Sequence, residues 1–178
     1  MTKGDKTKKI ILEDCLSLLK TCDISNFTLD LLADKSISTK SGILYHFTNK
    51  NNLLNTLADA IAQKFTKNFE EVARTYPLND TFKYHKSFIE CSKSDLLGET
   101  EYNLAIIISQ YTHHDMSDSY VSLLEKLAYD KVPSSQSNII RMTIDGLYYS
   151  RYLNNMPLDD LETLETLNYL YTFLEENQ

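Results

Sequence analysis

Ile11, Cys15, Leu18 and Cys22 recur at steps of four, three and four residues. That is the rhythm of one buried helical stripe, and it predicts a first helix over about Lys6–Cys22 behind a loose polar tail, Met1–Asp5. Asp23-Ile24-Ser25-Asn26 reads as a loop. Thr28 stands before Leu29, Leu32 and Ala33, and Thr39 stands before Ile43 and Leu44. A threonine hydroxyl there accepts from a free amide of the first helical turn, so the pattern predicts two short helices, the second reaching about His46. Ser36-Ile37-Ser38 forms the turn between them. Asn49 is a third capping residue, opening a long helix through Leu53, Leu57, Ile61, Phe65, Phe69 and Val72 that Pro77 stops.

The same signals continue. Asp80 caps a helix carrying Phe82, His85, Phe88 and Ile89 and ending near Gly98. A very apolar helix follows over Tyr102–Tyr111, and another over Met116 to about Tyr129. Pro133 and Ser134 precede one from about Gln136 to Leu153, and Pro157 precedes the last, with Leu161, Leu164, Leu167, Tyr171 and Leu174. The prediction is an all-α fold of about nine helices without a strand. A three-helix head over residues 1–50 is followed by a helical bundle over 51–178. Only 4 Gly and 3 Pro occur in the chain, far from the turn-rich composition of an all-β protein.

Charge refines this division. The formal net charge is −7, which at first argues against a nucleic-acid partner. Residues 1–50, however, hold eight Lys and six acids, while residues 51–178 hold ten basic and nineteen acidic residues. A mildly basic head on an acidic body suits a DNA reader whose body is kept off the phosphates. Cys15, Cys22 and Cys91 show no CxxC spacing, so neither a disulfide framework nor a zinc site is expected, and Cys15 and Cys22 read as buried thiols of one face. No apolar run approaches the ~20 residues that span a bilayer. The basic start lacks a signal-peptide core, and a reducing cytoplasm is the expected compartment.

The stretch Phe27–Leu54 concentrates the chemistry. Two short capped helices joined by a tight turn and braced by a preceding helix form a helix-turn-helix unit, whose second helix enters a major groove. Lys40, Ser41 and Gly42 are small or cationic at its leading end, where a backbone must approach DNA closely. Thr28, Thr39 and Asn49 present helix N-termini, and Lys50 adds a charge at the start of the long helix.

Here the chain resembles the TetR family of regulators. The family pattern runs roughly Thr, a short helix ending Ile-Ala, a turn, then Ser-Lys-Gly-x-Leu-x-Tyr-His-Phe-Pro-Ser-Lys-x-x-Leu. This sequence has Thr28, Leu32-Ala33, Thr39-Lys40-Ser41-Gly42-Ile43-Leu44-Tyr45-His46-Phe47-Thr48-Asn49-Lys50 and Leu53-Leu54, ungapped over about residues 6–57. The resemblance implies that Thr28, Thr39, Lys40, Ser41, Gly42, Tyr45, His46 and Lys50 face double-stranded DNA. It further implies a homodimer on a palindromic operator, joined through the last two helices, for which Ile140, Ile144, Leu147, Leu161, Leu164 and Leu167 are the candidates. A small-molecule effector pocket in the body, which the resemblance also implies, draws on Phe65, Phe69, Phe88, Tyr102, Ile106, Tyr120 and Tyr148. Repression released by the effector is the implied mode of action.

Two positions depart from the family pattern. Its turn usually holds Gly-Val or Gly-Ile, the Gly supplying φ > 0, where this chain has Ile37-Ser38. A β-branched residue is a poor occupant of that conformation, so a differently shaped or strained turn is expected. Many members also carry Tyr where Leu44 stands, which leaves Tyr45 alone to reach a phosphate. The atypical turn and modest basicity keep a second class open: a co-activator or interaction module acting through a partner protein. An enzyme is not expected, because no Ser-His-Asp set, glycine-rich phosphate loop or paired-carboxylate arrangement is legible. His113-His114-Asp115 offers no shared metal geometry, since adjacent histidines point to different faces. No cofactor or metal is expected.

Overall fold

The computed structural model describes residues 2–98 and 101–176. Among them run nine helices and no strand: α1 (Lys3–Leu19), α2 (Leu29–Lys35), α3 (Lys40–His46), α4 (Lys50–Thr75), α5 (Lys83–Leu97), α6 (Glu101–Thr112), α7 (Ser117–Leu127), α8 (Ser134–Tyr152) and α9 (Asp160–Glu176). The all-α expectation holds. Two boundaries move for local reasons. Thr2 and Asp5 form a reciprocal capping box, each side chain meeting the other's backbone amide at 3.2 and 2.8 Å, so the tail expected to be loose begins α1. The helix then ends at Leu19, which leaves Cys22 half-buried in the following loop, its thiol 3.3 Å from the Asp23 carbonyl, while Cys15 alone of the pair is fully buried.

The chain divides into two compact units: Met1–Ala60 with Leu104–Asp115, and Ile61–Asn103 with Met116–Gln178. The expected boundary at residue 50 rested on the Asn49 cap, and that cap exists, with Asn49 Oδ1 accepting from Asn52 N at 2.9 Å. Capping starts a helix without separating it from what precedes it. The first turns of α4 bury Leu53, Leu54, Leu57 and Ala58 in the first unit.

In the first unit, Ile11, Cys15 and Leu18 of α1, Leu32 of α2 and Ile43 of α3 are buried with Phe27 and Phe47. Each such side chain contributes roughly 1.5–3 kcal/mol relative to exposure. In the second unit, α5 packs on α7, α8 and α9, and α8 on α9. Its core includes Phe69, Phe88, Ile89, Ile140, Ile144, Leu147, Leu167, Leu170 and Leu174. The last helix opens on a capping box between Asp159 and Glu162, with contacts of 2.8 and 3.1 Å.

Candidate nucleic-acid interface and cavity

Thr28 and Thr39 cap as their positions require. Thr28 Oγ1 accepts from Leu31 N, and Thr39 Oγ1 from Gly42 N, each at 3.1 Å. Ile43 and the capping residue Phe47 point inward, so the rest of α3 faces outward: Lys40, Ser41 and Leu44 are exposed, Gly42 and His46 are half-buried, and Tyr45 is 85% exposed. The Tyr45 and His46 rings meet edge-on with centroids 5.1 Å apart.

The turn into α3 contains no left-handed residue. Among the described residues only His113, Asn154 and Met156 have positive φ outside glycine. Ser36 shapes the turn by a different means: its hydroxyl donates to Asp14 Oδ2 on α1 at 2.5 Å and accepts from Ser38 N at 3.2 Å. A serine side chain thereby closes the turn on itself and ties it to α1. Ile37 stands 83% exposed at the tip.

The two cations differ. Lys40 Nζ lies 2.8 Å from Asp30 Oδ2 of α2, and both side chains are largely exposed. Such a surface pair contributes about 0–1 kcal/mol, so a phosphate can compete for Lys40. Lys50 is held within its unit: Nζ donates to Tyr111 Oη at 3.2 Å and to the Ile24 carbonyl at 3.4 Å, and it lies over the rings of Tyr111 and Phe27 at 5.0 and 5.6 Å. Nothing local to Lys50 announced Tyr111, which comes from the distant 104–115 segment. His114 of that segment lies 2.7 Å from Asp59. The structure thus gathers Thr28, Thr39, Lys40, Ser41, Gly42, Tyr45 and His46 about α2 and α3, with the half-buried Lys50 bracing Tyr111 and the Ile24 carbonyl.

The second unit holds an open cavity of ≈ 700 Å³, within the ~300–1,000 Å³ of small-molecule sites. Ile61, Phe65, Cys91 and Tyr102 give it an apolar floor; Lys64, Lys67, Glu71, Asp95 and Glu101 supply its charges. The Phe65 and Tyr102 rings approach to 4.5 Å, and Tyr102 meets Tyr148 edge-on at 5.5 Å. Asp95 accepts from Tyr102 N at 3.1 Å and from Tyr148 Oη at 3.2 Å. Burial lifts its carboxyl above the ordinary range, against the pull of those donors.

Of the seven side chains expected to line an effector pocket, Phe65 and Tyr102 border this cavity. Phe69 and Phe88 are core, Tyr148 stands behind Asp95, and Ile106 falls in the first unit. Tyr120 donates to both Asp145 oxygens at 2.6 and 2.7 Å. Burial pushes the Cys15 and Cys91 thiols up to about 12, which disfavours the thiolate form of both.

An Asp-His-Ser set does exist, invisible along the chain because its members are 45 and 52 residues apart. His85 Nδ1 lies 2.8 Å from Asp130 Oδ2, and Nε2 lies 2.8 Å from Ser137 Oγ. The same carboxylate accepts from the amides of Tyr84 and His85 at 3.3 and 2.7 Å. The helix that Asp80 was expected to cap is therefore capped from Asp130, while Asp80 Oδ1 holds the amide of Phe82, the residue before α5, at 2.8 Å. With the imidazole 1% exposed, the cluster ties α5 to the start of α8 inside the core.

The last helices also differ from expectation. Ile140, Ile144, Leu147 and Leu167 are buried within the single chain, Leu164 is half-buried, and of the six expected interface residues only Leu161 is well exposed. The apolar residues that α8 leaves outside are Ile139, Met142, Tyr149 and, just past its end, Leu153. Gly146 lies on that outer face with nothing near its Cβ direction.

The fold has a counterpart among solved structures. It is similar to the candidate transcriptional regulator SCO7518 from Streptomyces coelicolor A3(2), at a TM-score of 0.62 and 16% identity, over 94% of this chain and 98% of that one. At that identity the likeness establishes the all-helical fold. No family model matches the chain, and no curated protein matches it. Among the described residues no helix is long and apolar enough to cross a membrane.

Proposed function

We propose that this chain is a cytoplasmic, DNA-binding transcription regulator that acts without catalysis: a homodimeric repressor released from a palindromic operator by a small molecule. The observation that carries the reading is the outward face of α3. Ile43 and the capping Phe47 are buried in the core, which leaves Lys40, Ser41 and Tyr45 on the outward side to meet a groove behind the Thr39 cap. With only seven residues, α3 has few aligned peptide dipoles, so phosphate affinity falls mainly to side chains. The likeness to a candidate regulator adds support at the level of fold.

Dimerisation through the outer face of α8 would give the two-fold symmetry that a palindrome mirrors. Ile139, Met142 and Tyr149 supply apolar area there, and Gly146 permits close helix approach. Effector control has a covalent basis. Two helices that line the cavity, α4 and α6, both continue into the first unit. A ligand that moved either would alter the spacing of two reading heads, whose half-sites sit about 34–36 Å apart.

A second reading has its own support. Lys40 is neutralised by Asp30, and the same surface exposes Ile37, Leu44 and Tyr45, as a protein-binding face would. Fluorescence anisotropy with DNA from upstream of the chain's own gene, over a salt series and against a scrambled control, separates the two. Sequence-dependent binding at two subunits per site supports the regulator. Binding that requires an added protein partner supports the interaction module.

A further inference from the structure

We propose that the effector of this chain is an organic cation with an apolar or aromatic body, seated in the cavity between α4, α5 and the start of α6 with its charge toward Asp95. This rests on the reading of that cavity as the effector site. Among the described residues, five groups of the lining carry charge at neutral pH in water, two cations and three carboxylates. Lys64 Nζ lies 2.6 Å from Glu101, and Lys67 Nζ lies 3.6 Å from Glu71. Whether or not those pairs persist, they cancel in sum, and Asp95 is left over. Its described partners are N–H and O–H groups, the Tyr102 and Glu101 amides and the Tyr148 hydroxyl. Dipoles of this kind hold a carboxylate in position without cancelling its charge. The upward shift that burial imposes on Asp95 marks a desolvated carboxyl, which gains from a cation brought near it.

The remaining walls fit the rest of such a ligand. Ile61 and Phe65 are nearly buried apolar surface at the floor, and Phe65 and Tyr102 stand at 4.5 Å with their planes tilted by 31°. Aromatic faces carry negative quadrupole density and attract a cation as well as an apolar body. An anionic ligand would have to displace Glu101 or Glu71 from its lysine and then tolerate Asp95. The lining therefore discriminates by charge rather than by shape.

The test uses two probes of one shape and opposite charge, tetraphenylphosphonium and tetraphenylborate, titrated calorimetrically into the full-length protein without DNA. The phosphonium is expected to bind at least tenfold more tightly. Asp95→Asn, which keeps an acceptor for the Tyr102 amide, is expected to erase most of that preference with helical circular dichroism unchanged. Lys67→Glu, at a side chain 78% exposed and so harmless to folding, is expected to raise the preference further. Equal affinities, a preference for the borate, or a cation preference that survives Asp95→Asn would overturn the cation assignment while leaving an effector cavity in place. Binding of neither probe would remove the cavity reading as well, and DNA binding, measured separately, is untouched by either result.

Discussion

Asp130 Oδ2 lies 2.7 Å from the backbone amide of His85 and 2.8 Å from the Nδ1 of the same residue. One carboxylate thus caps α5 and orients the imidazole that reaches Ser137 on α8. Removing it strands a buried ring nitrogen and two amides together. Asp130→Ala is expected to cost about 3 kcal/mol or more, above a single hydrogen bond, because several donors lose their partner at once. Urea unfolding measures this. Ser137→Ala, which removes one partly exposed hydroxyl partner of Nε2, is expected to cost about 1 kcal/mol. A loss for Asp130→Ala no larger than that for Ser137→Ala would contradict the shared cap.

The Ser36 turn makes a prediction about its missing glycine. Since no residue there has positive φ, glycine brings only extra freedom to the unfolded chain. Ile37→Gly is expected to lower stability by about 0.5–1 kcal/mol. A turn that needed a left-handed residue would instead be stabilised, and equilibrium unfolding distinguishes the two signs.

Lys40 and Asp30 make opposite contributions to DNA affinity in the proposed regulator. Lys40→Ala is expected to weaken binding to all sequences and to lower the salt slope by about 1, as loss of one phosphate contact does. Asp30→Asn is expected to tighten binding and narrow the gap between operator and scrambled DNA, because it frees Lys40 and removes a repelling charge. Anisotropy titrations at several salt concentrations read both effects.

For the proposed dimer, the inner and outer faces of α8 are expected to respond differently. Met142→Glu, at a residue 59% exposed, should yield a folded monomer by sedimentation with its circular dichroism intact. Ile144→Asp, at a residue 0% exposed, should unfold the chain by burying an unpaired charge. A Met142→Glu protein that remains dimeric would move the interface elsewhere.

Asp145 carries a pH dependence of definite sign. Burial raises its carboxyl from 3.8, opposed by the Tyr120 hydroxyl and by Arg141. A carboxyl raised in the folded state favours folding while protonated, and that contribution is lost as pH rises through its folded value. Asp145→Asn keeps an acceptor for Tyr120 without the charge. Its stability relative to wild type is therefore expected to increase from pH 4 to pH 8, as read from urea midpoints. A difference that shrinks with rising pH would reverse the assignment.

What the sequence determined by itself was local. Capping by Thr28, Thr39 and Asn49 and the apolar periodicity of each segment depend on neighbours within four residues, and they specified the existence and order of the helices. The outward set on α3 was legible for the same reason: Ile43 and Phe47 mark the inner side, and seven residues leave few choices for the outer one. Tertiary structure decided whatever required two distant segments to meet. Lys50 read as a free cation until Tyr111 met it from 61 residues away. Asp130, His85 and Ser137 were three unrelated polar residues until α5 packed beside the start of α8. Ile140 and Ile144 stood as candidates for a dimer interface, because periodicity shows that a face is buried and is silent on whether its own chain or a second copy covers it. Packing alone chooses among such partners, since the hydrophobic effect rewards area removed from water whichever surface removes it.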